Sequence, residues 1–175
     1  YKRQASDTED IFSQLERGGV AAVLLDFSLP KAEGILARLK LDPRTNPVPV
    51  VVLFPRGTTP MRPRGLRVQG DLELSEPGEV GKLLEALVRQ ADAPPEGGWS
   101  LRFLVPSCGE GLKSASDVFA QVLSTSGLDE PDQTSFLAAC REAVANAIEH
   151  GNGGDASRMV QVACRGDEAA VTVEV

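Results

Sequence analysis

Short unbroken apolar runs alternate along the first half of the chain with segments whose apolar residues recur every three to four positions. The runs "VAAVLLDF" (20–27) and "VPVVVLF" (48–54) are rich in β-branched residues, a pattern that predicts strands buried on both faces of a parallel sheet. Helices are predicted between and around them: one opened by Asp7-Thr8-Glu9-Asp10 and reaching Arg17, one over Glu33–Lys40, and one over Glu79–Arg89 after Pro77-Gly78. Strand and helix in alternation mean an α/β fold with ligand chemistry at the carboxyl ends of the strands. The periodicity lapses in "RQADAPPEGGW", where Pro94, Pro95, Gly97 and Gly98 gather, and a domain boundary is expected there.

Beyond it the pattern changes. "SLRFLVP" reads as a strand, Leu112–Leu123 and Glu130–Glu149 as helices, and "SRMVQVACR" and "AAVTVEV" as two alternating strands around a turn at Gly166-Asp167. This order predicts an α/β sandwich with helices on one face of an antiparallel or mixed sheet. Within the longer helix, Glu142, Asn146 and His150 recur every four residues, each about 40° around the helix from the last, so they form a polar stripe. Ala143, Val144, Ala147 and Ile148 form the apolar stripe that faces a core. Periodicity leaves open whether the polar stripe lines a cleft or faces water.

Composition narrows the functional classes. A net charge of −7 over 175 residues argues against a nucleic-acid or anionic-membrane surface as the main partner, because both need a cationic footprint. No apolar run approaches the roughly 20 residues of a membrane span, and "YKRQASDTED" lacks the apolar core of a signal peptide, so a cytoplasmic protein is expected. Cys108, Cys140 and Cys164 lie far apart with no C-x-x-C spacing, which suggests neither a disulfide framework nor a zinc site. Arg56, Arg62, Arg64 and Arg67 are expected to form a basic loop, solvated or available to an acidic partner.

The succession "VLLDFSLPKAEG", "LKLDPRTNPVPVVVL" and "GDLELSEP" resembles the receiver domain of two-component response regulators. The resemblance implies a flavodoxin-like parallel sheet over residues 1–90, with Asp26 at the position of the phosphoacceptor and Leu29, Pro30 and Gly34 in the signature that follows it. The departures are chemical. Phe54-Pro55 stands where the family has a Ser or Thr, and Glu76 where it has a Lys, which sets an anion beside a site meant for a phosphoryl group. "PRGTTPMRPRG" makes a regular helix there unfavourable, and the acidic pair expected on a first strand would lie upstream of Tyr1. The expectation is a degenerate, N-terminally incomplete receiver, with Asp26 a poor phosphoacceptor or a carboxylate that caps a neighbouring turn.

After a linker at 91–99, residues 100–175 resemble the ATP-binding domain of the GHKL superfamily, most closely the anti-sigma-factor serine kinases. The motif that carries the resemblance is E-A-x-x-N-A-x-x-H-G, Glu142 to Gly151. It implies Asn146 as the ligand of the Mg²⁺ that bridges the ATP phosphates, Glu142 as general base, and His150 and Gly151 at the phosphate end of the site. The family's Asp-x-Gly-x-Gly adenine box and its lid would follow Val175, so the domain is expected to be C-terminally incomplete.

Together these resemblances imply a bacterial signal-transduction protein: a receiver-regulated, ATP- and Mg²⁺-dependent serine/threonine kinase of the anti-sigma type. Its partner would be a protein, an anti-anti-sigma-like substrate or a sigma factor, with homodimerisation left open. The competing expectation is a non-catalytic scaffold that keeps both folds and acts by binding partners.

Overall fold

The computed structural model describes residues 8–55, 65–75, 98–167 and 170–175. In chain order the elements are α1 (Thr8–Glu16), β1 (Val23–Asp26), α2 (Ala32–Leu41), β2 (Val50–Leu53), β3 (Arg67–Val68) and β4 (Leu72–Leu74). There follow β5 (Trp99–Pro106), α3 (Gly109–Ser124), α4 (Glu130–Asn146), a π-helical turn (Ala147–Gly151), β6 (Met159–Gly166) and β7 (Val171–Glu174). The predicted helix at 79–89, most of the linker, the substitution at Glu76, and Arg56, Arg62 and Arg64 lie outside the described residues. No helix among the described residues is long and apolar enough to cross a membrane.

Two sheets form. The first is parallel, in the order β1-β2-β4, with Asp26 opposite Leu53 and Leu53 opposite Leu74. Its centre behaves as its sequence predicts: Val50, Val51 and Val52 are all buried, as a strand with neighbours on both sides requires. The expectation for "VAAVLLDF" needs correction. Among the described strands β1 lies at the edge of the sheet; only Leu25 of its four residues is buried, and Leu24 is 55% exposed.

The second sheet is antiparallel, in the order β3-β5-β6-β7. Leu101, Phe103 and Val105 of β5, opposite Cys164, Val162 and Val160 of β6, turn inward and share a core with Ala115 and Phe119 of α3 and Cys140 and Val144 of α4. The Phe103 and Phe119 rings meet edge to face at 5.7 Å. Each such side chain, fully buried, contributes about 1.5–3 kcal/mol relative to exposure. On the alternate positions Gln161 and Arg165 remain exposed, the hydrophobic-in, polar-out pattern of a one-sided sheet.

The two halves of the chain interlock. Arg67, expected in a solvated basic loop, is instead in β3, 6% exposed, with Nη2 on Glu73 Oε2 at 2.9 Å; β3 pairs with β5 through Arg67↔Leu104 and Val68↔Phe103. The correction has a physical reason: Glu73 neutralises the charge, so the arginine can lie against the Phe54 ring, 5.5 Å from its centroid. The backbone edge of β5 is then continued by Gln69, whose N–H donates to Arg102 O at 2.8 Å, and by the Asn46 side chain. Asn46 accepts from Ser100 N and donates to Ser100 O, both at 2.9 Å, so one amide side chain takes the place of a strand residue. Behind it Lys40, 3% exposed, donates to Asn46 O at 2.8 Å and pairs with Asp71 at 3.1 Å, while Arg102 donates to the carbonyl of Asp71. Helix α2 touches β1 as well as β3 and β5, and one hydrophobic cluster runs through both halves.

Candidate functional site

The motif helix starts cleanly. Asp129 caps α4 by accepting from Asp132 N at 2.9 Å, Pro131 sits in the first turn where its missing N–H costs nothing, and Glu130 and Asp132 place negative charge at the positive end of the helix dipole. Cys140 and Val144, continued by Ile148 in the π turn, are buried and hold the helix on the sheet. Ala143, expected in the apolar stripe, is exposed; the buried line is narrower than the periodicity suggested. Glu142, Asn146, His150 and Gly151 are exposed on the side away from it.

Two of these residues touch. Asn146 Nδ2 donates to Glu142 Oε1 at 3.1 Å across one turn of helix. The pairing also decides which way the amide points. A carboxylate only accepts, so the amide must turn its NH₂ toward Glu142, leaving Oδ1 directed away as an acceptor for something else. An amide oxygen is a hard donor of the kind that Mg²⁺ takes when phosphate oxygens and water complete its shell. Among the described residues no group of three or more His, Cys, Asp and Glu could hold a metal by itself.

The helix predicted to reach Glu149 does so, but past Asn146 it is no longer α-helical. Residues Ala147–Gly151 widen into a π turn, with Asn152 N donating to Ala147 O at 2.9 Å and Gly154 N to Ile148 O at 2.8 Å. Gly153 and Gly154 end it at φ of 63° and 69°, a left-handed backbone that glycine adopts without strain. His150 and Gly151 therefore lie on this turn rather than on the α-helical spiral of Glu142 and Asn146. The sequence reading missed what fixes the turn: Asn152 Nδ2 donates to Ser107 Oγ at 2.8 Å, and Ser107, 1% exposed, sits 45 residues away between β5 and α3. Close packing sets that junction, because Gly111 in the first turn of α3 lies so near the Pro106 carbonyl that a Cβ would collide with it.

Asp26 belongs to the other sheet, at the carboxyl end of β1. It is exposed, and its Oδ1 accepts from Ser28 N at 2.8 Å and Ser28 Oγ at 2.7 Å. The Ser28 hydroxyl, then the Ser28 N–H, hold its pKa below the usual carboxylate value. Phe54, at the end of the neighbouring strand, is buried and packs edge to face on Phe27 at 5.0 Å. The cysteines lie elsewhere. Cys140 and Cys164 are buried, and burial pushes their pKa values up to about 11 and about 12; Cys108 is half-buried at the N-cap of α3.

No curated protein and no solved structure matches the chain. Residues 105–175, less than half of the chain, match the family model of the histidine kinase-like ATPase domain. That match spans β5 from Val105, both helices and the two strands after the motif, and so supports a GHKL-type ATPase domain in this part of the chain, with the hydrogen-bonded Glu142–Asn146 pair on its exposed helix face.

Proposed function

We propose that the protein is a cytoplasmic signalling kinase of the anti-sigma type, in which residues 100–175 contribute the Mg²⁺–ATP end of a serine/threonine kinase site and residues 1–90 form a degenerate receiver that regulates it by contact. The observation that carries this reading is the Glu142–Asn146 hydrogen bond, which leaves the Asn146 Oδ1 available on an exposed face of a domain matched by an ATPase family model.

ATP bound with Mg²⁺ supplies the transferable phosphoryl group. Asn146 presents Oδ1 as one hard ligand of the ion, and Glu142 keeps its second carboxylate oxygen for the proton of a serine or threonine hydroxyl. His150 and Gly151 lie on the turn after Asn146 and would face the phosphate end of a bound nucleotide. The acceptor is a protein, an anti-anti-sigma-like substrate or a sigma factor, since the acidic chain suits neither nucleic acid nor anionic lipid.

The N-terminal half fits a role in contacts better than one in phosphoryl transfer. Its parallel strand order and the place of Asp26 suit a receiver, but a buried Phe54 replaces the hydroxyl expected beside the phosphoryl oxygens, and Ser28 already occupies one carboxylate oxygen. A second reading, a scaffold in which neither half is catalytic, agrees with these two features of the N-terminal half. Thermal melting of the intact protein with and without Mg²⁺–ATP separates them. A nucleotide at about 100 times its dissociation constant stabilises the fold by about 2.7 kcal/mol and raises Tm. An unchanged Tm at millimolar Mg²⁺–ATP overturns the kinase reading and leaves the scaffold.

A further inference from the structure

The π turn stands between the two parts of the proposed nucleotide site, Asn146 before it and His150 and Gly151 within it. Such turns are rare and occur mostly as single turns within α-helices, so one persists where its surroundings hold it. Here the restraints are specific. Ile148 anchors the inner side of the turn in the core, Gly153 and Gly154 release the chain, and the Asn152 side chain reaches Ser107 Oγ at 2.8 Å. Ser107 is itself immobilised: its N–H donates to Arg158 O at 3.2 Å, and the following Cys108 N–H closes onto Pro106 O at 2.8 Å. Asn152 and Ser107 thus tie the end of the motif helix to the β5–α3 junction, where Gly111 packs against the Pro106 carbonyl with no room for a Cβ.

We propose that Ser107 and Asn152 are positioning residues that hold the π turn and so set where His150 and Gly151 stand relative to Asn146. As a role in nucleotide binding this rests on the reading of Asn146 given above; as a property of the turn it does not. Ser107 is buried and Asn152 is half-buried and bonded to it, whereas Asn146 is exposed, so both act through the turn. Removing either hydrogen-bonding group frees the turn to relax toward continuous α-helix, which rotates His150 and Gly151 around the axis while leaving Glu142 and Asn146 in place.

The chain has a single histidine, so its imidazole Cε1–H signal in an NMR spectrum of the intact protein is a one-line reporter of the turn. In nucleotide-free protein, Ser107→Ala and Asn152→Ala are expected to move that line alike, and the double variant no further, because each removes the same hydrogen bond. Asn152→Asp, which can accept from the Ser107 hydroxyl, is expected to restore it. With Mg²⁺–ATP, the alanine variants are expected to bind about tenfold more weakly at a temperature where circular dichroism finds them fully folded, the weight typical of a residue that orients a ligand. A His150 line unmoved in folded Ser107→Ala protein, or shifts that add in the double variant, overturns the proposal whatever the nucleotide does. A line that moves as expected in a protein whose wild type binds no Mg²⁺–ATP upholds control of the turn and overturns the kinase reading instead.

Discussion

Asn146 donates its amide N–H to Glu142 one helical turn earlier, at 3.1 Å, and in doing so turns its own oxygen outward. Two roles are thereby separated on one helix face: a carboxylate with an oxygen to spare, and an amide with its acceptor free. Glu142→Gln keeps the shape of the pair and removes the proposed base. It is expected to leave Mg²⁺–ATP affinity within about threefold of wild type while lowering phosphoryl transfer to a partner by roughly 10²- to 10⁴-fold, as measured by incorporation from γ-labelled ATP. Transfer at the wild-type rate would remove Glu142 from the chemistry.

At the other sheet, Ser28 holds one oxygen of Asp26, and a buried Phe54 stands where the receiver resemblance expects a hydroxyl for the phosphoryl oxygens. Incubation with acetyl phosphate and Mg²⁺ is expected to leave the intact mass of the protein unchanged. An added phosphoryl mass that is lost in Asp26→Asn would contradict this.

The thiols are expected to divide by burial. Cys140 and Cys164, held at about 11 and about 12, are almost wholly protonated at pH 8, whereas Cys108 is half-buried at a helix start. Brief treatment of the native protein with iodoacetamide at pH 8 should modify Cys108 alone, and all three cysteines in denaturant, as read by peptide mass. Rapid native labelling of Cys164 would mean that the core between α4 and β6 opens easily.

Lys40 tests the junction between the halves. Burial lowers its pKa, with Asp71 opposing, so the folded chain gives up this proton more readily than the unfolded one. The sign follows: the unfolded chain binds more protons as pH approaches the free lysine value, so the contribution of Lys40 to stability rises with pH between its depressed folded pKa and about 10.4. Lys40→Met leaves Asp71 uncompensated. Because Asp71 is 30% exposed and keeps the Val50 N–H, the loss at pH 7 should be about 2 kcal/mol, below the roughly 3–5 kcal/mol of a fully buried pair. Urea denaturation of both proteins at pH 7 and pH 9.5 measures it, and a gap that narrows at the higher pH would contradict the assignment.

What the sequence disclosed depended on the range of the interaction. The run 48–54 was legible because three consecutive valines have no polar face to expose, and they are buried on both sides. The run 20–27 looks equally apolar, yet its strand lies at the edge of the sheet among the described strands, and nothing local distinguishes an edge from a centre. The spacing of Glu142 and Asn146 foretold their contact because it is a property of one helix turn. The π turn was hidden for the opposite reason: an α-helical pattern read through Ala147–Gly151 remains self-consistent, and only the cluster Gly151-Asn152-Gly153-Gly154 hints that the helix must end there. Arg67 was misplaced in a loop, and Ser107 was not placed at all. A two-residue strand has no periodicity, and a hydrogen bond between positions 107 and 152 exists only once the sheet has formed.

The central claim is that Asn146 holds Mg²⁺ together with a nucleotide, and isothermal titration of ATP into the intact protein tests it most directly. Wild-type protein is expected to bind ATP in the presence of Mg²⁺ and to lose most of that affinity when the ion is chelated. Asn146→Ala should bind Mg²⁺–ATP at least about tenfold more weakly and show little further loss on chelation, since the ligand that couples metal to nucleotide is gone. Equal Mg²⁺-dependent binding by wild type and Asn146→Ala, or no binding by either, would contradict the account.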